Sequence, residues 1–353
     1  MKLSNKTAQI EGKLTDTDIS SEWVNDLQEL LDFEKKIPFS KLHTHIDEAN
    51  VDQEFRILNR ITHTNKHLEK MVVYKETMYK KNRYEHLIAF KHSMPKLKEE
   101  EDFYINANYI THPLFKNAQK QFILGQGPTA GSSADFWKVV DEHNVCVIVM
   151  LCNLKTEGFS LEEKYFPKSN KEIEFDELRI RNIGAIKAEE DFVIYRKMRI
   201  TNKKNETKKE MKHYNITKWD DMGVIQEESF GELLDFIKMI VALVDSSDED
   251  EEGRKQPLLI HCKAGIGRSG VFLALVAIYD YLFMLYKKFG DFYKKEEKVL
   301  GLDGEEIGIS VFGVVRRLRE DRWGCVEKPR QYYFIYKFTK YMLENLENST
   351  GRR

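Results

Sequence analysis

The sequence has few cysteines and no excess of either charge, and each shortage excludes a class of protein. Only four cysteines occur in 353 residues, Cys146, Cys152, Cys262 and Cys325. That number is too small for a disulfide framework and favours free thiols in a reducing compartment. The 56 Lys and Arg nearly balance the 58 Asp and Glu. Bulk charge therefore predicts neither a nucleic-acid partner nor attraction to a membrane surface.

Long hydrophobic runs are also missing. The most apolar stretch, residues 271–286, is shorter than a bilayer span and contains Asp280, so we predict a buried core helix and no membrane span. The first sixteen residues, MKLSNKTAQIEGKLTD, lack the apolar core of a signal peptide, and their acidic residues argue against a transit peptide. A cytoplasmic location is the expectation.

Helical and strand patterns alternate along the chain and favour an α/β or α+β fold. Residues 145–151 form a continuous β-branched run, typical of a strand buried on both faces. Residues 173–219 alternate like a hairpin meander, and residues 230–244 carry one helical apolar stripe. The acidic run at 245–252 that follows is interpreted as an exposed loop, with a docking element for a partner as the alternative.

The chemistry concentrates at residues 260–270, IHCKAGIGRSG, between a short apolar strand and the long apolar helix. Cys262 ends the strand and stands six residues before Arg268. Backbone N–H groups of such a loop can surround an oxyanion, the helix N-terminus adds positive potential, and the arginine fork binds two oxygens. The same field favours the thiolate, so the loop predicts a nucleophile aimed at a bound phosphate.

Two other interpretations were weighed. An inert buried cysteine beside an ordinary turn is the first, and the glycines and Arg268 that crowd around Cys262 argue against it. The second concerns LHTHID at residues 42–47, which is similar to the first zinc motif of amidohydrolases. That motif needs further ligands on later strands of an eight-unit barrel, and the remaining sequence leaves no room for one.

The motif His-Cys-x5-Arg-Ser-Gly is the signature of cysteine-based phosphatases, and the chain resembles the tyrosine-specific, non-receptor type from about residue 55 to 340. Further landmarks of that family follow in order: KNRY at 81–84, DFYINANYI at 102–110, QGP at 126–128, DFW at 135–137, WDDMGV at 219–224 and QYYF at 331–334. The number of altered minor motifs is similar to that of insect-associated viral (bracovirus-like) copies.

The resemblance implies a single domain with a twisted, mixed central sheet flanked by helices, and the signature loop between a strand and a long helix. We expect a helical lead at 1–54, a catalytic domain at 55–343 and a polar tail at 344–353. It further implies a monomeric signalling enzyme that acts on phosphotyrosine-containing proteins and uses no cofactor or metal.

By the same resemblance, Cys262 attacks phosphorus to form a phosphocysteine, while Arg268 and the loop amides hold the oxygens. Asp221 protonates the leaving tyrosine and later takes a proton from water. Ser269 helps the thiolate to leave, and His261 orients and tunes the nucleophile. Tyr84 sets the pocket depth and Trp219 is the hinge of the acid loop. The remaining substrate-binding candidates are Lys263, Ala264, Gly265, Ile266, Gly267, His86, Gln331 and Glu327.

Several positions in the acid loop and among the expected substrate-binding residues depart from the family pattern. Two acid-loop prolines are replaced by Asp220 and Ile225, which removes restraints on loop closure. The aspartate that grips the substrate backbone is His86. Lys263 replaces a serine. One interpretation of this lysine is an exposed side chain without a role, and the alternative is added attraction for a highly charged phosphate substrate such as a phosphoinositide.

Other departures concern the second half of the reaction. The glutamine that positions the hydrolytic water aligns with Glu327, although the second glutamine remains as Gln331. The glutamate that holds the signature arginine is displaced, with Thr156 at the aligned position and Glu157 next to it. These changes sustain an alternative function, a phosphotyrosine-binding pseudophosphatase or very slow enzyme that traps phosphoproteins.

Overall fold

The structure is a computed structural model, and it describes ten stretches of the chain. These are residues 36–46, 48–64, 78–110, 121–153, 157–158, 164–186, 192–251, 253–293, 298–301 and 304–346. The helix expected within 20–31, the end of the polar tail, Thr156 and Glu252 lie outside the described residues.

Eight strands form one mixed sheet in the order β2-β3-β9-β4-β8-β7-β6-β5. The inner neighbours β3, β9, β4 and β8 run parallel, whereas the remaining pairs are antiparallel. A separate two-stranded pair joins β1 to β10. The strands are β1 Ile37–Pro38, β2 Ala107–Ile110, β3 Phe122–Gln126, β4 Val147–Met150, β5 Glu172–Phe175, β6 Leu178–Ile186, β7 Val193–Asn202, β8 Thr207–Ile216, β9 Leu258–Cys262 and β10 Gly308–Ile309.

The central strands agree with their sequence patterns. Every residue of β4 and of β9 is buried, as a β-branched run covered on both faces requires. Strands β5 to β8 form the predicted meander, and its last strand, β8, pairs in parallel with β4. The meander is therefore part of the central sheet.

Helices cover both faces of this sheet. They are α1 Leu42–His45, α2 Glu48–Thr64, α3 Met78–Lys81, α4 Ser133–Glu142, α5 Phe230–Asp245, α6 Gly267–Phe289, α7 Val311–Asp321 and α8 Pro329–Glu344. Helix α4 covers one face with Phe136 and Trp137, and α5, α6, α7 and α8 build the larger core on the other. The mixed α/β architecture is the predicted one.

Helix α6 is the predicted core helix, and it begins two residues before the expected Ser269. Within the described residues it alone is long and apolar enough to cross a bilayer, but 72% of its most apolar window is buried inside the fold. That burial is the property expected of a core helix.

Helix α2 is fastened to α8 by a buried carboxylate. Glu54 is 1% exposed and accepts hydrogen bonds from the hydroxyls of Tyr332 (2.5 Å) and Tyr336 (2.7 Å). His45 Nε2 lies 2.7 Å from the other carboxylate oxygen. His45, which belongs to the LHTHID motif at residues 42–47, is thus part of a structural cluster. The described residues contain no group of three or more His, Cys, Asp or Glu side chains that could hold a metal ion.

Candidate active site

The signature loop links the end of β9 to the start of α6, and its backbone carbonyls point outward. Four successive carbonyls of the loop accept hydrogen bonds from donors outside it. Lys263 O accepts from Gly127 N (3.1 Å), Ala264 O from Arg322 Nη2 (3.2 Å), Gly265 O from Arg322 Nε (2.6 Å) and Ile266 O from Val326 N (3.1 Å). With its carbonyls engaged outside, the loop leaves its N–H groups for the interior. Gly265 N already donates to Cys262 Sγ at 3.2 Å. The result is a cradle for an anion beside the sulfur.

Gly265 makes this curvature possible. Its φ is +75°, and a Cβ at this position would stand 2.1 Å from the carbonyl oxygen of Gly125. Any side chain here would collide with the neighbouring strand β3 and would also strain the backbone. The glycine is therefore required by the geometry of the loop.

Arg268 is held at the base of the cradle by a buried carboxylate. Its side chain is 1% exposed, and Glu157 accepts from Nη1 at 2.7 Å and from Nη2 at 2.6 Å. Burial opposes the charged form, but the hydrogen bonds that Arg268 donates to Glu157 and the charges of Cys262 and Glu157 outweigh it and raise the pKa of Arg268. The displaced Glu157 thus contacts the arginine in the manner expected of the family's glutamate.

Asp221 lies against the same arginine. Its Oδ1 accepts from Arg268 Nη2 at 2.9 Å and from the backbone N–H of Met222 at 3.0 Å, while Lys263 Nζ lies 3.7 Å from Oδ2. Met222 has φ +56°, a left-handed conformation that is uncommon for a side chain of its size. The acid loop therefore points its carboxylate into the site.

The acid loop is anchored at both ends without the two prolines. Trp219 is buried, its carbonyl accepts from Arg268 Nη1 at 2.9 Å, and its ring Nε1 donates to Gly223 O at 3.2 Å. Ile225 is 2% exposed and joins the larger core, whereas Asp220 is exposed. Apolar burial of Ile225 supplies a restraint at a position where the family has proline.

Tyr84 and its neighbours lie where the sequence analysis expects the substrate to bind. Tyr84 is half-buried and its ring centroid lies 6.1 Å from that of the exposed His86. Burial, followed by the negative charge of Asp221, raises the pKa of Tyr84. Arg83 fixes this segment, since its Nη2 donates to Pro128 O at 3.0 Å and to Gly127 O at 3.3 Å.

Glu327 and Gln331 lie near the start of α8, next to the signature loop. Gln331 is 1% exposed, and its Oε1 accepts from the backbone N–H of Glu327 at 3.1 Å. Its Nε2 has no partner among the described residues and stands 2.9 Å from where a Cβ on Gly267 would lie. The Glu327 carboxylate is paired with Lys328 Nζ at 2.8 Å. Ser269 Oγ is likewise buried and has no partner in the described part of the chain.

Lys263 lines a polar cavity of about 320 Å³ beside the acid loop. Its other lining residues are Asn153, Glu157, Thr217, Trp219, Asp220 and Asp221. Three carboxylates and one lysine do not give a cavity with net attraction for a second phosphate. The alternative of a phosphoinositide substrate receives no support from this surface.

His261 is buried on the other face of β9 and is neutral. Burial lowers its pKa to about 4, and burial followed by the charge of Arg196 lowers the pKa of His213 well below its usual value. Tyr165 Oη lies 2.7 Å from His261 Nε2 and 2.8 Å from His213 Nε2. An imidazole held on both sides cannot turn freely, and the role of His261 in orienting Cys262 stays a prediction.

These two histidines predict an acid-dependent stability. In the unfolded chain each titrates near pH 6.5, but His261 stays neutral in the fold down to about pH 4. Between these values the unfolded chain binds more protons, so stability is lost as the pH falls, by about 1.4 kcal/mol per pH unit for one histidine. Urea unfolding at pH 7, 6 and 5 measures this. His213→Gln should flatten the decline, and an unchanged slope would contradict the assignment.

Two groups of residues were missed by the sequence analysis. Arg322, 3% exposed, holds the signature loop and is itself bound by Asn106 and Asn108 (both 2.9 Å). The two asparagines stand in the DFYINANYI landmark, whose signal was only its resemblance to the family. Tyr165 and His213 carried no local signal, because they meet His261 only through the tertiary fold.

Comparison with known proteins agrees with this site. The family model described as protein-tyrosine phosphatase matches residues 78–341. Human tyrosine-protein phosphatase non-receptor type 12 is 28% identical over 320 residues, which cover 88% of this chain and 37% of that protein. Tyrosine phosphatase H3 of Microplitis demolitor bracovirus is 28% identical over 246 residues, 70% of this chain and 68% of the viral protein.

A receptor-type relative matches over a smaller share of its length. Receptor-type tyrosine-protein phosphatase zeta of Rattus norvegicus is 28% identical over 272 residues, 72% of this chain but 10% of the receptor. The chain therefore spans only a part of several relatives that it matches. Since the family model covers most of the chain and includes the signature loop, the acid loop and Gln331, the chain belongs to the protein-tyrosine phosphatase family.

Proposed function

We propose that the chain hydrolyses phosphotyrosine in proteins through a phosphocysteine intermediate. The observation that carries the proposal is the position of Cys262 Sγ, which accepts the N–H of Gly265 inside a loop whose carbonyls are bonded on the outside, with the Arg268 guanidinium held by Glu157. In the first step the thiolate forms a bond to phosphorus as the bond to the tyrosine oxygen breaks. That oxygen takes a proton from Asp221.

Substrate binding has to change the partners of Asp221. The carboxylate accepts an N–H of Arg268 Nη2, and the second N–H of that nitrogen is bound to Glu157. A phosphate oxygen in the cradle replaces Asp221 on Nη2, and the negative phosphate raises the proton affinity of the released carboxylate. The acid is thereby protonated where the leaving oxygen needs it.

The second step transfers the phosphoryl group from Cys262 to water. Asp221, now ionised, accepts a proton from the water, and the unpartnered Nε2 of Gln331 next to Gly267 offers a donor to it. The Ser269 hydroxyl, also without a described partner, is available to the returning thiolate. Glu327 has no N–H to donate, so we expect this step to limit turnover.

The substrate class follows from Tyr84 and His86 at the entrance of the site. Tyr84 forms a wall that an aryl phosphate can reach past and a shorter phosphoserine cannot, and exposed His86 contacts the flanking peptide. We assign phosphotyrosine-containing proteins as partners. The described cysteines are all free, which favours action in the reducing cytoplasm, and we expect a monomer.

The acidic run is proposed as the docking element for such a partner. It is exposed, but part of its charge is neutralised within the loop, since Arg254 pairs with Asp250 at 2.8 Å and Lys255 with Glu249 at 2.9 Å. A basic partner would have to be attracted by the remaining carboxylates.

The acid role of Asp221 predicts a loss that depends on the leaving group. Asp221→Asn keeps the shape but cannot donate a proton, so we expect kcat for phosphotyrosyl peptide to fall about 10²- to 10⁴-fold. An activated aryl phosphate with a strongly acidic phenol should lose much less, because its oxygen needs no proton to leave. Equal losses on both substrates would contradict the role. Asp220→Asn is the matched control and should behave as wild type.

The slow second step predicts a burst. Wild type should release one equivalent of phenol quickly and then turn over slowly, and Glu327→Gln should raise the steady rate about tenfold, the gain expected for one recovered hydrogen bond. Rapid-mixing kinetics with an aryl phosphate measures both phases. A burst with no later turnover would identify a phosphotyrosine trap, and no burst in either variant would place the slow step elsewhere.

A further inference from the structure

Two departures from the family pattern, in two different loops, meet beside the acid. Lys263 follows the nucleophile in the signature loop, Asp220 precedes the acid in the acid loop, and both line the polar cavity of about 320 Å³. The backbone of Lys263 is fixed, since its carbonyl accepts from Gly127 N at 3.1 Å. Its half-buried side chain places Nζ 3.7 Å from Oδ2 of Asp221. The lysine that the sequence analysis assigned to the substrate thus contacts the acid.

Asp221 is the carboxylate of this cavity that is left for the lysine. Both oxygens of Glu157 are committed to Arg268, at 2.7 and 2.6 Å. Glu157 Oε1 also accepts from the backbone N–H of Asn153 at 2.7 Å. Asp220 is exposed, so solvent and salt screen its charge. The pair between the lysine and Asp221 is therefore the specific one.

The two cations on Asp221 hold different oxygens. Arg268 Nη2 donates to Oδ1 at 2.9 Å, whereas Lys263 faces Oδ2. A phosphate oxygen that takes the place of Asp221 on Arg268 therefore leaves the lysine where it is. The released carboxylate keeps Lys263 at one oxygen and the backbone N–H of Met222, 3.0 Å away, at the other.

The charge of Lys263 matters most as the proton leaves. A protonated Asp221 is neutral, so the lysine attracts it only weakly. Once the tyrosine oxygen has taken the proton, the carboxylate carries a full negative charge and the attraction is larger. An interaction that grows toward the transition state lowers the barrier.

We propose that Lys263 is a positioning residue for the acid, which holds the Asp221 carboxylate in place after the phosphate has taken Arg268. The inference rests on the proposed function, since it takes Asp221 as the acid that the phosphate releases. A proline at position 220 would fix one backbone angle beside the acid, and an aspartate does not. The ion pair to the signature loop supplies a restraint at the acid itself.

The first test is the single-turnover rate with enzyme in excess over phosphotyrosyl peptide, because it reports the step that needs the acid. Lys263→Met keeps an unbranched stem without the charge and should lower this rate about 3- to 10-fold, with the half-saturating enzyme concentration unchanged. Lys263→Arg should recover most of the loss. An activated aryl phosphate, whose oxygen leaves without a proton, should stay within about twofold of wild type, as should the control Lys218→Met at an exposed lysine beside Trp219.

The second readout needs no turnover. Hydrogen exchange of the acid-loop peptide, residues 219–225, is followed with and without saturating inorganic phosphate. Without phosphate Arg268 holds Asp221, so Lys263→Met should exchange within about twofold of wild type. With phosphate the variant should exchange about 3- to 10-fold faster. A lysine that only packs in the fold would give the same change under both conditions.

Equal single-turnover rates and equal exchange for wild type and Lys263→Met would overturn the proposal. Weaker binding of peptide and phosphate at an unchanged rate would also overturn it, because the lysine would then attract the substrate and not hold the acid. A wild type that transfers no phosphoryl group while the phosphate-dependent exchange pattern holds would refute the proposed function alone. Normal transfer with an exchange pattern that ignores Lys263→Met would refute the role of the lysine alone.

Discussion

Replacing Cys262 by serine is expected to abolish steady turnover, with a loss of about 10⁴-fold or more. Serine is close to cysteine in size, so the cradle and Arg268 stay in place, but a hydroxyl is not ionised at neutral pH. Steady-state assays with an aryl phosphate and a phosphotyrosyl peptide measure the loss. Peptide binding, followed by calorimetry, should persist because the anion ligands remain.

Cys146 supplies the matched control for this substitution. It is half-buried just before β4, its Sγ contacts the carbonyls of Gln256 and Pro257, and burial raises its pKa to about 11. Since Gln256 and Pro257 precede β9 and Cys262 ends it, Cys146 lies at the other end of the sheet. Cys146→Ser should keep wild-type turnover. Retention of more than about 1% activity by Cys262→Ser would refute the nucleophile.

Glu157→Gln is expected to have the second large effect. The substitution removes the buried ionic partner of Arg268, which is itself 1% exposed, and leaves only the more exposed Asp221; breaking a buried pair on one side costs about 3–5 kcal/mol of stability. Because the amide keeps only one acceptor oxygen, the guanidinium also loses one of the two bonds that fix its plane. We expect kcat/KM to fall about 10²- to 10³-fold, the loss associated with one misplaced oxyanion ligand.

A substitution at Thr156 distinguishes two alignments of this loop, one that places Thr156 and one that places Glu157 at the position of the family's glutamate. It occupies the position at which simple alignment places the family's glutamate, so Thr156→Ala tests whether that position matters. We expect Thr156→Ala to match wild type in activity and in its urea midpoint, while Glu157→Gln loses both. The opposite order would show that the contact between Glu157 and Arg268 does not serve the reaction.

The parts of the site that are local in sequence were predictable. The strand, loop and helix around Cys262 lie within one segment, and the apolar runs of β4, β9 and α6 are continuous, so burial on all sides followed from composition. The mixed sheet and the order of landmarks came from the family resemblance. Asp221 could be assigned because Trp219 and Gly223 flank it.

The parts that depend on tertiary contacts were not predictable. Glu157 meets Arg268 across 111 positions of the chain; the sequence placed it next to the aligned Thr156, but only the fold shows that its carboxylate reaches the guanidinium. Tyr165 reaches His261 across 96 positions. Ile225 replaces a proline, and only the fold shows its side chain inside the core, where apolar burial restrains the acid loop.

Rapid-quench trapping of the intermediate tests the central claim most directly. Wild-type protein is mixed with excess phosphotyrosyl peptide, stopped with denaturant within the first turnover and digested for mass spectrometry. We predict one phosphoryl group on the peptide that contains Cys262, with more of it in wild type than in Glu327→Gln. Turnover without a phosphorylated Cys262 peptide, or a phosphoryl group on another residue, would contradict the account.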